Sequence, residues 1–232
     1  LSTACLAAMA DIMRATHLDE AIFASLCRES DMYHVLQRCA ILVSRMALTM
    51  PPPMFHDMVR ATASWPDLCR RLISTSATLS HARSRKLVAL GLAHMLRHAS
   101  AQDKGLLSAV PDMIGMWTEV VGEVVEDEAG SADRYERELS PTRALEIGED
   151  GIPFLDEFGL IEAAPTPSSA RTDAVRSRDP SFNVPLRAYV ADTLNAVLQN
   201  GSYKTQLQSL LATIDPLVLD TLQRGLSERP VA

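Results

Sequence analysis

Aromatic residues are scarce in this 232-residue chain: two Trp, four Tyr and five Phe amount to 5 % of it. Leu, Ala, Met and Val supply the apolar content instead, a composition that favours helices because unbranched side chains lose little rotamer freedom there. Alternating β-branched runs bounded by tight turns are missing, which removes the signature of strands. Long hydrophobic runs are missing too. The longest charge-free runs, Met46–His56, Leu72–Ala82 and Thr193–Tyr203, are 11 residues each, well short of the roughly 18 needed to cross a bilayer. A helical membrane span is therefore not expected. Nor is a signal peptide: the text opens at Leu1 without a basic segment followed by an apolar one, and reads as a piece of something longer.

Paired cysteines are absent. Cys5, Cys27, Cys39 and Cys69 are widely spaced with no CxxC, and so read as small buried hydrophobes of a reducing compartment, cytosol or nucleus. Catalytic motifs are absent as well: there is no GxSxG, no GxxxxGK[ST], and no GxGxxG following a strand. His94 and His98 stand one helical turn apart, a spacing that can present two imidazoles to one metal. No Glu completes HExxH, however, and no acid or Cys adjoins them. They read instead as a packed histidine and a helix-terminal one, the latter with Arg97 complementing the dipole. His17, His34, His56 and His81 have no selective spacing. No catalytic residue, metal site or cofactor is expected.

What the chain does have is helical periodicity. Residues 1–126 read as successive helices. Ser2–Ala15 has Leu6, Met9, Ile12 and Met13 on one face; a second helix, capped by Thr16 or Asp19, runs through Ile22, Phe23 and Leu26; a third follows Asp31, with Val35, Leu36, Cys39, Leu42, Val43 and Met46 as its stripe. Pro51, Pro52 and Pro53 end it. Helices over Met54–Ala63, from Trp65-Pro66, over Arg85–His98 and over Leu106–Val125 follow. Residues 127–179 turn acidic and then Pro- and Ser-rich, text that cannot bury enough apolar surface to offset its ordering entropy. One apolar island, Ile152 to Ile161, interrupts it. Residues 180–232 return to helical text, with Asp215 and Pro216 suited to the N-cap and first position of the last helix. The fold class expected is all-α: antiparallel helix pairs stacked into an α-α superhelix of the HEAT or armadillo kind, with a disordered acidic insertion and C-terminal capping helices. A compact bundle is the structural alternative.

Charge is distributed unevenly. Of the net charge of −7, Glu119 to Glu162 holds 14 acidic against 3 basic residues, −11, leaving 19 basic and 15 acidic, +4, elsewhere. Such a field repels a nucleic-acid backbone and attracts a basic protein. Glu119, Glu123, Glu126 and Asp127 recur every three or four residues along one helix face, usually the mark of a solvated face and, if functional, of one that holds Lys- or Arg-rich protein.

RKLVALGLAHMLRH, beginning at Arg85, followed by LLSAVPDMIGMWTEVVGEVVED, resembles the C-terminal HEAT repeats of the importin-β (karyopherin-β) nuclear transport receptors. Lys86, Leu87, Ala89, Leu90 and Leu92 match a recurring inner helix, and Trp117 the next one. Asp179-Pro180 ahead of LRAYVADTL, then LLATIDPLVLDTLQRGL with Ile214, Asp215, Val218 and Leu222, are similar to the extreme C-terminus of the importin-11 branch. The resemblance implies a receptor that carries protein cargo through the nuclear pore, moving between cytoplasm and nucleus. It implies cargo on the concave surface, Phe-Gly nucleoporins in apolar grooves, and release by Ran-GTP bound through an N-terminal region that this chain does not contain. The alternative is a HEAT scaffold of a cytoplasmic assembly without a transport role.

Overall fold

The computed structural model describes residues 15–27, 33–100, 102–130, 184–200 and 203–227. They form α1 (Leu18–Cys27), α2 (Tyr33–Thr49), α3 (Pro52–Thr62), α4 (Trp65–Ser76), α5 (Ala82–Arg97), α6 (Lys104–Ser108), α7 (Val110–Gly130), α8 (Leu186–Gln199), α9 (Lys204–Leu211) and α10 (Pro216–Ser227), with no strand among the described residues. The helix expected over Ser2–Ala15, except for Ala15 itself, and the island at Ile152–Ile161 lie outside them.

Local chemistry sets most of the helix ends. Ser64 caps α4, its Oγ accepting from the Asp67 amide at 3.3 Å with Pro66 in the first turn. Asp215 caps α10, where Oδ1 accepts from the Leu217 amide at 2.8 Å. The Pro51–Pro53 run ends α2 as expected, and also begins α3 two residues before Met54, because proline tolerates a first turn whose amides have no helical partner. The single helix expected over Leu106–Val125 is instead two, α6 and α7. Pro111 has no amide to offer the Leu107 carbonyl, so the ladder breaks and restarts with Pro111 in the new first turn.

Two layers result. In one, α1, α4, α7 and α10 pack successively; in the other, α2, α5 and α8 do so, and α1 pairs with α2, α4 with α5, α7 with α8. This is the stacked antiparallel-pair superhelix that the periodicity indicates. The first-layer helices begin at Leu18, Trp65 and Val110, 47 and 45 residues apart, the length of a HEAT or armadillo unit. Helix α5 lies at the centre, buried continuously from Lys86 to Ala93. Trp117, wholly buried, donates from Nε1 to the Ala89 carbonyl at 3.1 Å and joins α7 to it.

The face that α2 buries keeps only part of the expected stripe. Ala40, Val43, Ser44, Met46 and Ala47 point inward, whereas Val35 and Leu42 are exposed. The small residues decide this. A Cβ on Gly91 would stand 2.9 Å from Ser44 Cβ and 3.0 Å from Ser44 Cα, so the closest approach of α2 to α5 needs Ser on one helix and no side chain on the other. A mid-helix glycine, which costs about 1 kcal/mol relative to Ala, is retained for that contact.

Candidate functional site

Helix α7 carries the acidic residues singled out by their spacing. It extends through Gly130, beyond the composition boundary at residue 126. Glu119 is well exposed and Glu123 less so, and both meet Arg85 from the first turn of α5: Nη2 lies 3.3 Å from Glu119 Oε2, and Nη1 bonds Glu123 Oε1. The carboxylate pair is thus already partnered within the chain. The side chains of Glu126 and Asp127 lie outside the described residues. Lys86, matched from sequence to the recurring inner helix, is buried.

The two histidines are brought together by α5, with ring centroids 4.5 Å apart; His94 faces a phenol, and among the described residues no further metal ligand joins the pair. His94 Nδ1 and the Tyr189 hydroxyl are 2.5 Å apart, and Arg97 sits over the Tyr189 ring at 5.4 Å. Burial, then the positive fields of His98, His56 and Arg97, push the His94 imidazole down to about 4, so it is neutral near pH 7. His98 is held down by burial and by Arg97, so the charge at this helix end belongs to Arg97. The pair anchors α8 to α5.

A third cluster escapes sequence reading. Asp103, in the connector after α5, has a side chain with no solvent exposure. Oδ1 accepts from Trp65 Nε1 and Arg60 Nε, each at 2.9 Å; Oδ2 accepts from the Ser100 amide and hydroxyl, each at 2.8 Å, and from His56 Nδ1 at 3.0 Å. Burial alone raises a carboxyl pKa, but the Arg60, Ser100 and His56 donors outweigh it and hold Asp103 well below the usual carboxylate range. An ionised Asp103 can only accept, so His56 carries its proton on Nδ1. The residues come from α3, α4 and the α5–α6 connector, 38 to 47 positions apart for Trp65 and His56. No local spacing announces such a cluster; the only hint is a lone Asp in otherwise unremarkable loop text.

These clusters position helices, and among the described residues no group of three or more His, Cys, Asp or Glu side chains could hold a metal ion. No described helix is long and apolar enough to cross a membrane. The model of one protein family, described as importin-11-like TPR repeats, matches residues 2–227. TPR and HEAT units are both stacked antiparallel helix pairs, and the 45- to 47-residue spacing here is nearer the HEAT length. No curated protein and no solved structure matches the chain. The match spans both layers and the terminal helices, and the chain belongs to the importin-11-like family of nuclear transport receptors.

Proposed function

We propose that this chain is a cargo-contacting part of a nuclear import receptor, holding basic protein segments against the acidic face of α7 made by Glu119, Glu123, Glu126 and Asp127. What carries the reading is the coincidence of family membership with a helix on which Glu119 is exposed and whose sequence leads into the most acidic stretch of the chain. Electrostatic complementarity of this kind raises the on-rate and selects against acidic partners, at modest affinity and with marked salt dependence. Phe-Gly nucleoporins are the pore partners in this reading, and Ran-GTP acts through a region outside the chain. The receptor moves between cytoplasm and nucleus.

Binding of a Lys/Arg-rich peptide to the full chain, by fluorescence anisotropy at low and high salt, tests the face. Glu126→Gln with Asp127→Asn leaves the Arg85 partners untouched and is expected to weaken binding about tenfold at low salt, with little effect in 1 M salt. Unchanged affinity sinks the acidic-face reading. Normal import of nuclear proteins in cells depleted of the full-length receptor sinks the transport reading and favours the scaffold.

A further inference from the structure

The connectors of the stack emerge at two rims, and the rims are fastened by different chemistry. At the rim formed by residues 50–64 and 98–109, Asp103 gathers donors from α3, from the start of α4 and from its own connector, all around a carboxylate shielded from water. The same rim is tightened where α6 meets α4: a Cβ on Gly105 would lie 2.8 Å from Pro66 Cδ. Tyr203, from the connector after α8, is buried near enough to feel the Asp103 charge.

At the opposite rim, where α5 begins and the far half of α7 lies, the polar fastenings are lighter, and Val120 and Val121 supply the apolar contact. Tyr33 and Gln37 of α2 each donate to the Thr78 carbonyl, at 3.1 and 2.9 Å. Arg85, itself 15 % exposed, reaches across to Glu119 and Glu123, which are 66 % and 38 % exposed. Arg85 Nε is buried with no acceptor, so the guanidinium sits in an incomplete seat. Exposed ion pairs are screened by salt and buried ones far less.

We propose that neighbouring helix pairs pivot about the Asp103 rim, and that the Arg85 ion pairs to Glu119 and Glu123 are the latch that holds the opposite rim closed. Opening the latch loosens α7 from Glu119 onward against the start of α5, about the Trp117–Ala89 bond, and leaves the α3, α4 and α6 contacts in place. Arg85 is a positioning residue in this device, and the inference stands whether or not the acidic face of α7 binds cargo.

Hydrogen exchange by mass spectrometry on the full chain tests it, comparing Arg85→Gln with the unsubstituted protein at low salt and in 1 M salt. Arg85→Gln is expected to speed exchange of amides in 82–90 and 117–123 by about two- to fivefold, leaving 54–66 and 102–108 unchanged. High salt should produce the same local change in the unsubstituted protein and no further change in the variant. His56→Gln, which removes one Asp103 donor but keeps the carboxylate, should instead speed exchange in 54–66 and 102–108. Equal loosening of both rims by Arg85→Gln overturns the pivot, and protection unchanged at 82–90 and 117–123 overturns the latch.

Discussion

Asp103 and Glu123 are both carboxylates engaged by an arginine, yet they hold their surroundings with very different force. Asp103 is shielded from water and accepts from five donor atoms within 3.0 Å, whereas Glu123 shares Arg85 with Glu119 at a partly exposed helix surface. Breaking a buried, satisfied ionic group costs about 3–5 kcal/mol because its former partners are left desolvated. An exposed pair is worth about 0.2–1 kcal/mol, since water and salt replace what is lost. The chemical groups are alike, and burial makes the difference.

Asp103→Ala is the most severe way to break the contrast. It strands His56 and Trp65 without their acceptor, leaves Arg60 only Asp57 and Ser100, and is expected to lower stability by about 3–5 kcal/mol, read as a fall in the urea midpoint with little change in slope. A loss below 1 kcal/mol would place Asp103 on the same footing as Glu123. Acidification separates the clusters next. Asp103 has a depressed pKa, so its contribution persists above the ordinary carboxylate range and is lost only in strong acid. His94, pushed down to about 4, binds its proton more readily in the unfolded chain; its contribution is intact above about 6.5 and drains as pH falls through about 4, to a total of roughly 3 kcal/mol. His94→Leu should flatten the pH dependence of stability across that window, and an unaltered profile would count against the assignment.

Gly91→Ala measures packing against electrostatics. The added methyl gains about 1 kcal/mol of helix propensity but meets Ser44 backbone and side chain at 2.9–3.0 Å. Overpacking wins, with a net loss of about 1–2 kcal/mol expected in denaturant titration; Ser44→Gly in the same chain should recover part of it. The smallest effect belongs to Arg85→Gln, under about 1 kcal/mol in global stability and vanishing in 1 M salt. A larger global effect would mean that the latch belongs to the core.

Much of this architecture is legible from neighbouring residues. Ser64 with Trp65-Pro66, Asp215 with Pro216, and the apolar run after Arg85 mark α4, α10 and α5 within a few positions, because caps, prolines and 3.6-residue periodicity act over one or two turns. The orientation of α2 was legible only in part, through Val43 and Met46. Val35 and Leu42 are as apolar as Val43, and the choice among them lies with Gly91 on another helix. The Asp103 cluster was not legible: His56 and Trp65 are unremarkable where they stand, and acquire their roles from a carboxylate 47 and 38 positions away. The pairing of Arg85 with Glu119 and Glu123 was hidden in the same way, although the acids themselves were conspicuous.

The sequence by itself determined the helices, their approximate ends, the accumulation of negative charge after Glu119, and the importin-like character of the helical text. All of these rest on interactions between near neighbours or on composition. Only the tertiary structure decided which carboxylate is buried and which stays wet, that the partner of the packed His94 is Tyr189, and that the two rims of the stack are fastened unequally. Those outcomes depend on desolvation, and the solvent exposure of a side chain is set by helices that lie tens of residues away.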